Sequence, residues 1–273
     1  MKEKSTDYSI DNRPKTRISQ FFDILIHRFV ELMKLSFLQT VFNMPLIATL
    51  VLFYIFVKNV SSLDSLMTIY IVTSILIFIS MISSFTGLTG CFYCLKKIIH
   101  AEGEYASSSF FLGLRSEWKR GLITGIIVGF SAALTIIGSF LFYFYLAQVN
   151  TFVSSFGIAI LVIQAIIVFM VGYYTLSQTV IYDSKYVYLL KNGFLFTLMR
   201  FHINILIFVL HPGIIVILVN IMDITMYISL PLLVFFVSIG HLLWMLNAIG
   251  AFDKYINKDN YPDYYRKGLY KEV

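Results

Sequence analysis

The chain is poor in charge. Aspartate, glutamate, lysine and arginine together make 13% of its 273 residues, about half the share found in a soluble domain. A water-facing surface cannot be covered at that level, so lipid is the expected solvent for most of the chain. The shortage is also uneven. Six apolar runs, at about 35–57, 66–88, 121–146, 152–174, 201–220 and 227–249, contain none of the four charged residue types. Intramembrane carboxylates are the usual carriers of proton or cation coupling, and their absence weighs against a coupled transporter and against a voltage sensor. Cysteine is almost missing as well. Cys91 and Cys94 are the only two, which excludes a disulfide framework. Their C-x-x-C spacing lacks the second pair or nearby ligands that a zinc or redox site requires, so they read as small packing residues. No Walker A loop, H-E-x-x-H or G-x-S-x-G is present. No enzymatic activity and no cofactor are therefore expected. A cleavable signal peptide is not expected either, because the first 16 residues are polar and the next are amphipathic.

What is abundant is apolar: 58% of the residues are hydrophobic. The predicted fold is all-α, a polytopic membrane helix bundle of six transmembrane helices preceded by an amphipathic helix. Residues 1–16 read as a disordered cytoplasmic tail. Residues 17–250 form the membrane domain, which includes the amphipathic helix 17–34 and a cytoplasmic loop 96–120. Residues 251–273 form a cytoplasmic C-terminal tail. In 17–34, Ile18, Phe21, Phe22, Leu25, Phe29 and Met33 share one face and Gln20, Asp23, His27, Glu31 and Lys34 the other. That pattern suits the headgroup plane or packing against another cytoplasmic segment. A second amphipathic segment lies in the loop, where Phe110, Phe111, Leu114 and Trp118 form the apolar stripe. It is expected at the membrane surface.

Orientation follows from the basic residues. All but one of the 21 lysines and arginines fall in segments that six spans place on a single side; the exception is Lys58 in the first turn. The positive-inside rule makes that side cytoplasmic, with both termini on it and the chain in the cell membrane. The net charge of +6 is thus accounted for by topology and anionic headgroups, and nucleic acid is not an expected partner.

Three groups of residues stand out. Gly121, Gly125 and Gly129 recur at four-residue spacing, a helix-packing stripe that admits a close neighbour. Gly87, in a stripe of small residues with Thr73, Ser80 and Cys94, is expected to face them. Within the spans, Gln39, Asn43, Gln164, Asn204, His211 and His241 are the candidate polar site. They read either as the wall of a pathway or as interhelical hydrogen-bonding groups. A bis-histidine haem at His211 and His241 is a third reading, but unligated, hydrogen-bonded histidines are commoner in a bundle interior. The third group is Arg115, Trp118 and Lys119, an aromatic and basic surface suited to docking a partner or anionic lipid.

The wording of two stretches goes beyond periodicity. They are FTGLTGCFYCLKK at 85–97, followed by EGE at 102–104 and FFLGLRSEWK at 110–119, and LKNGFLFTLMR at 190–200. A weaker third is NMPLIAT at 43–49. Together they resemble the YesL-like family of bacterial membrane proteins, although the family's tryptophan before that first-span proline, and its proline before the small-residue run, are missing here. The resemblance implies a bacterial cytoplasmic-membrane protein with a link to carbohydrate importers and no agreed activity. The expected function is accessory or regulatory, with the bilayer and a solute importer or a second copy of the chain as partners. The alternative is a passive permease or channel for a small solute.

Overall fold

The computed structural model describes residues 13–102, 105–213 and 222–270, with side chains described outside 212–236. Among the described residues there is no strand. The elements are α1 (Arg17–His27), α2 (Phe29–Lys58), α3 (Leu63–Ile99), α4 (Ala106–Leu141), α5 (Thr151–Thr179), α6 (Tyr186–Met199), α7 (Phe201–Phe208) and α8 (Met222–Phe252). A π-helical turn extends α4 over Phe142–Leu146 and another extends α7 over Val209–Gly213. The protein is an all-α membrane helix bundle. The helices α2, α3, α4 with its π turn, and α5 are each long and apolar enough to cross a bilayer. The pair α6 and α7 passes the same test only when joined, and it is bent by 91°. Most of the apolar surface on these helices is not covered by protein. Ile75, Ile79, Phe130, Phe156, Ile160 and Ile163 are all exposed, an arrangement that only lipid tails can solvate.

Close approach of α3 and α4 forms the centre of the bundle. A Cβ built on Gly125 would lie 2.7 Å from the Ile82 Cα, on Gly129 2.8 Å from the Phe78 carbonyl oxygen, and on Gly121 3.0 Å from the Phe85 carbonyl oxygen. Backbone meets backbone along the whole stripe, as small residues in lipid-facing helices permit. Gly87 does not join them. Its missing side chain makes room for the Phe42 ring of α2. The small-residue stripe of α3 is thus the α2 seam: Ser83 donates to the Phe42 carbonyl (3.0 Å), and Thr49 and Ser80 hydroxyls meet at 3.3 Å. Cys91 and Cys94 are buried in the same helix and are not joined in a disulfide.

Helix boundaries depart from the sequence reading in two places. The amphipathic segment ends at His27, not at residue 34. Arg28 leaves helical geometry (φ −121°, ψ 23°), its side chain pairs with Glu31 at 2.7 Å, and α2 starts at Phe29. The expected loop 96–120 is mostly helix. α3 runs on to Ile99 and α4 starts at Ala106. No proline interrupts 106–141, so the amphipathic segment continues straight into the span. A helix of 36 or 37 residues is about 55 Å long at 1.5 Å per residue, well beyond a hydrocarbon core of about 30 Å. The α3–α4 hairpin therefore projects from the bilayer at its basic end and does not lie flat on it.

At that end the chain termini are tied together. Arg17 pairs with Asp253, Gln20 donates to the carbonyls of Ile99 (2.7 Å) and Gly268 (3.2 Å), and the Tyr270 amide donates to the Pro14 carbonyl (3.1 Å). The tail after α8 packs back on the bundle, with Tyr182 donating to Asn257. The expected disordered tail lies outside the described residues up to position 12, as does the second half of the fifth apolar run.

Candidate functional site: an intramembrane cavity with a histidine floor

A cavity of about 430 Å³ opens between α2, α3, α4, α5, α7 with its π turn, and α8. Its position follows from side-chain size. Ala132 and Ala165 stand on facing helices where larger residues would meet, while Leu46, Leu50, Ile77, Ile136, Val162 and Ile166 form the walls. Polar groups gather at one end. Thr40 and Asn43 sit toward the start of α2, and Ser84, Tyr173 and His241 toward the ends of α3, α5 and α8. Because neighbouring helices run antiparallel, all of these lie on the side of the basic surface. The opposite end is apolar apart from Thr135, whose hydroxyl is bonded to the carbonyls of Ser131 and Leu161.

The floor is aromatic. His211 and His241 are 8% and 4% exposed, with ring centroids 4.8 Å apart and planes at 88°. His211 is seated against Gly240, where any side chain would collide with its ring. Tyr173 places its hydroxyl 3.4 Å from His241 Nδ1 and packs its ring, tilted, against Phe169 at 4.6 Å and Trp244 at 5.0 Å. Phe85 and Phe92 complete the cluster. Below it, Tyr174, Trp244 and Phe252 are nearly wholly buried. Two histidines in edge-to-face contact leave no space for a macrocycle between them, so the arrangement does not fit a bis-histidine haem. Among the described residues no group of three or more metal-ligating side chains occurs.

The six candidate polar residues are not one site. His211, His241 and Asn43 line the cavity. Gln39 stands one turn before Asn43 and is bonded to its amide oxygen (3.2 Å) and to the Ser84 carbonyl (3.1 Å). Gln164 donates to Ser131 at 2.8 Å across the α4–α5 seam. Asn204 belongs to a separate cluster: it accepts from Tyr174 (2.8 Å) and Asn247 (2.9 Å) and donates to the carbonyls of Phe196 and Thr197. Both belong to the last turn of α6, where carbonyls run short of intrahelical partners; Phe196 also accepts from the Arg200 amide, and Asn204 completes the cap where the chain turns through its bend. The sequence reading missed Tyr173, Phe169 and Phe208 as cavity residues. Aromatic residues are too frequent in these spans to signal one.

The chain matches no family model, no curated protein and no solved structure.

On the basic surface, Arg115, Trp118 and Lys119 are exposed, Trp118 by 45%, with the Lys119 ammonium 5.8 Å from the Trp118 ring. Arg120, next to them, is engaged with Glu117 and the Ser184 carbonyl.

Proposed function

We propose that this protein is a non-enzymatic component of the cytoplasmic membrane, crossing it six times with both termini inside. It acts as an accessory or regulatory subunit to a membrane partner such as a carbohydrate importer. The observation that carries this reading is how the intramembrane polar groups are used. Gln39, Gln164 and Asn204 spend their amides on neighbouring helices and on backbone carbonyls. Such bonds fasten helices, and the buried polar atoms they leave over, Gln39 Oε1, His211 Nδ1 and His241 Nε2, are too few to form a string for a solute to follow across the bilayer. The resemblance to the YesL-like family supports the partner class. The exposed Arg115, Trp118 and Lys119, on a hairpin that projects from the bilayer, offer a docking surface for the partner or for a second copy of the chain.

The cavity favours a second reading, a passive permease for a small solute. One experiment separates the two. In the triple variant Arg115→Glu, Trp118→Ala, Lys119→Glu, insertion into the membrane should persist while co-purification with the importer is lost. If the pure protein in liposomes releases a small solute unaided, and the triple variant does so equally well, the accessory reading fails and the permease replaces it.

A further inference from the structure

We propose that the cavity binds a neutral, carbonyl-headed lipophile of the quinone class, drawn from the bilayer, with its head at His211 and His241 and its apolar body between α2, α3, α4 and α5. The volume of about 430 Å³ lies in the usual range for small-molecule sites, which are mostly apolar with a few placed polar groups. Two such groups are unspent here. His211 Nδ1 and His241 Nε2 are both buried and have no hydrogen-bond partner among the described residues. A buried polar atom without a partner is destabilising, and two side by side in one cavity mark the place of a ligand atom.

The chemistry of the head follows from the tautomer. Tyr173 is buried, and its hydroxyl has one partner among the described residues, His241 Nδ1. In the tautomer in which the hydroxyl donates to Nδ1, the imidazole hydrogen sits on Nε2 and that atom is a donor. A donor in this position calls for an acceptor, and a carbonyl oxygen is the acceptor that brings no charge. Charge is excluded because no lysine, arginine, aspartate or glutamate stands among the described lining residues, and an unpaired charge in such surroundings is far too costly. A flat head fits best: Phe169, Tyr173 and Phe208 bring ring faces and edges to the floor, with Phe169 and Phe208 5.5 Å apart at 84°. A single water would satisfy the nitrogens but leave the apolar remainder empty, and apolar cavity space stays dry.

The two tryptophans of the chain make the test direct. Trp118 is on the surface, whereas Trp244 is buried against Tyr173. In detergent-solubilised Trp118→Phe protein, menadione should quench Trp244 fluorescence to saturation. His241→Phe should weaken the apparent affinity by about tenfold, the loss of one good hydrogen bond in a dry site, and His211→Phe should weaken it in the same direction. Should a histidine variant fold poorly, Ala132→Phe, which puts a ring in the apolar half of the cavity, must remove the saturable phase. Quenching that rises linearly without saturating overturns the proposal. So does saturable quenching left unchanged by the histidine variants, which would mean that the cavity takes any apolar molecule without reading a carbonyl.

Discussion

The Arg17 guanidinium, in the first turn of α1, stands 2.7 Å from the carboxylate of Asp253, directly after α8. Residues 236 positions apart thus meet at the basic end of the bundle. Arg17 also donates to Gln20 and to the Lys267 carbonyl, while Asp253 accepts from Asn257 and the Arg266 amide. Burial lowers the Arg17 pKa and Asp253 works against that shift. Removing one partner leaves the other charge buried and unpaired. Asp253→Asn should therefore destabilise by about 3 kcal/mol. The double variant Arg17→Gln, Asp253→Asn should lose clearly less than the sum of the single losses. Thermal unfolding of the three variants in one detergent measures this; additive losses would show that the pair is not coupled.

A second contact nearby predicts acid sensitivity. Glu102, in the turn between α3 and α4, lies 3.7 Å from the His100 ring and 2.6 Å from the Lys267 ammonium. These neighbours hold its carboxyl down to about 2, below the ordinary 4.5. A folded-state pKa below the unfolded value means stability that is present above pH 4.5 and lost as pH falls from there toward 2. Burial also lowers the His100 pKa, so its cost begins on falling below about 6.5 and has the same sign. The melting temperature should thus drop in two stages on acidification. Glu102→Gln should be less stable than wild type at pH 6 and should show a shallower fall between pH 4.5 and 3. Parallel curves would contradict the assignment.

The glycines separate by what a side chain would meet. At Gly125 the obstacle is the Ile82 backbone at 2.7 Å, which cannot rotate away. Gly125→Leu should force α3 and α4 apart and cost about 3 kcal/mol. Gly250, within α8, has nothing nearer than the Arg200 guanidinium at 3.8 Å. There Gly250→Ala should stabilise by about 0.5–1 kcal/mol, because alanine loses less backbone freedom in a helix. Equal effects at the two positions would refute the packing account.

The contrast shows how far the sequence could be read. Spacing at i, i+4 marked Gly121, Gly125 and Gly129 because close helix approach needs small residues in a row. The same logic placed Gly87 beside them, yet a small residue announces only that something comes close. In this case it is Phe42 of α2. The bend between α6 and α7 left no trace, since no proline or glycine stands at Met199, Arg200 or Phe201. It is held by side chains beyond the bend itself: Asn204 on the last carbonyls of α6, and Arg200 on the Asn247 carbonyl at 2.8 Å. The cavity was legible only in part. His211 and His241 stood out as rare ionisable groups in apolar runs, but the volume beside them is set by the shapes of six helices, and no local pattern encodes it.

Labelling from either side tests the topology. Tyr105 and Val149 are 79% and 83% exposed and sit at opposite ends of the α4 segment, whereas Cys91 and Cys94 are buried and should be slow to react. In intact cells, a membrane-impermeant maleimide should label Val149→Cys and leave Tyr105→Cys untouched; permeabilised cells should label both. The basic residues set this orientation. Lys96, Lys97, Arg115, Lys119 and Arg120 flank residue 105, and none lies between 121 and 184. Moving that block across the bilayer would place it on the side where such residues are normally sparse. The length of the hairpin adds a constraint: at about 55 Å, α3 and α4 exceed the hydrocarbon core, and their charged residues lie at one end, from Lys96 in α3 to Arg120 in α4. Labelling of Tyr105→Cys in intact cells would invert the bundle, and the docking surface around Trp118 would then face away from any cytoplasmic partner.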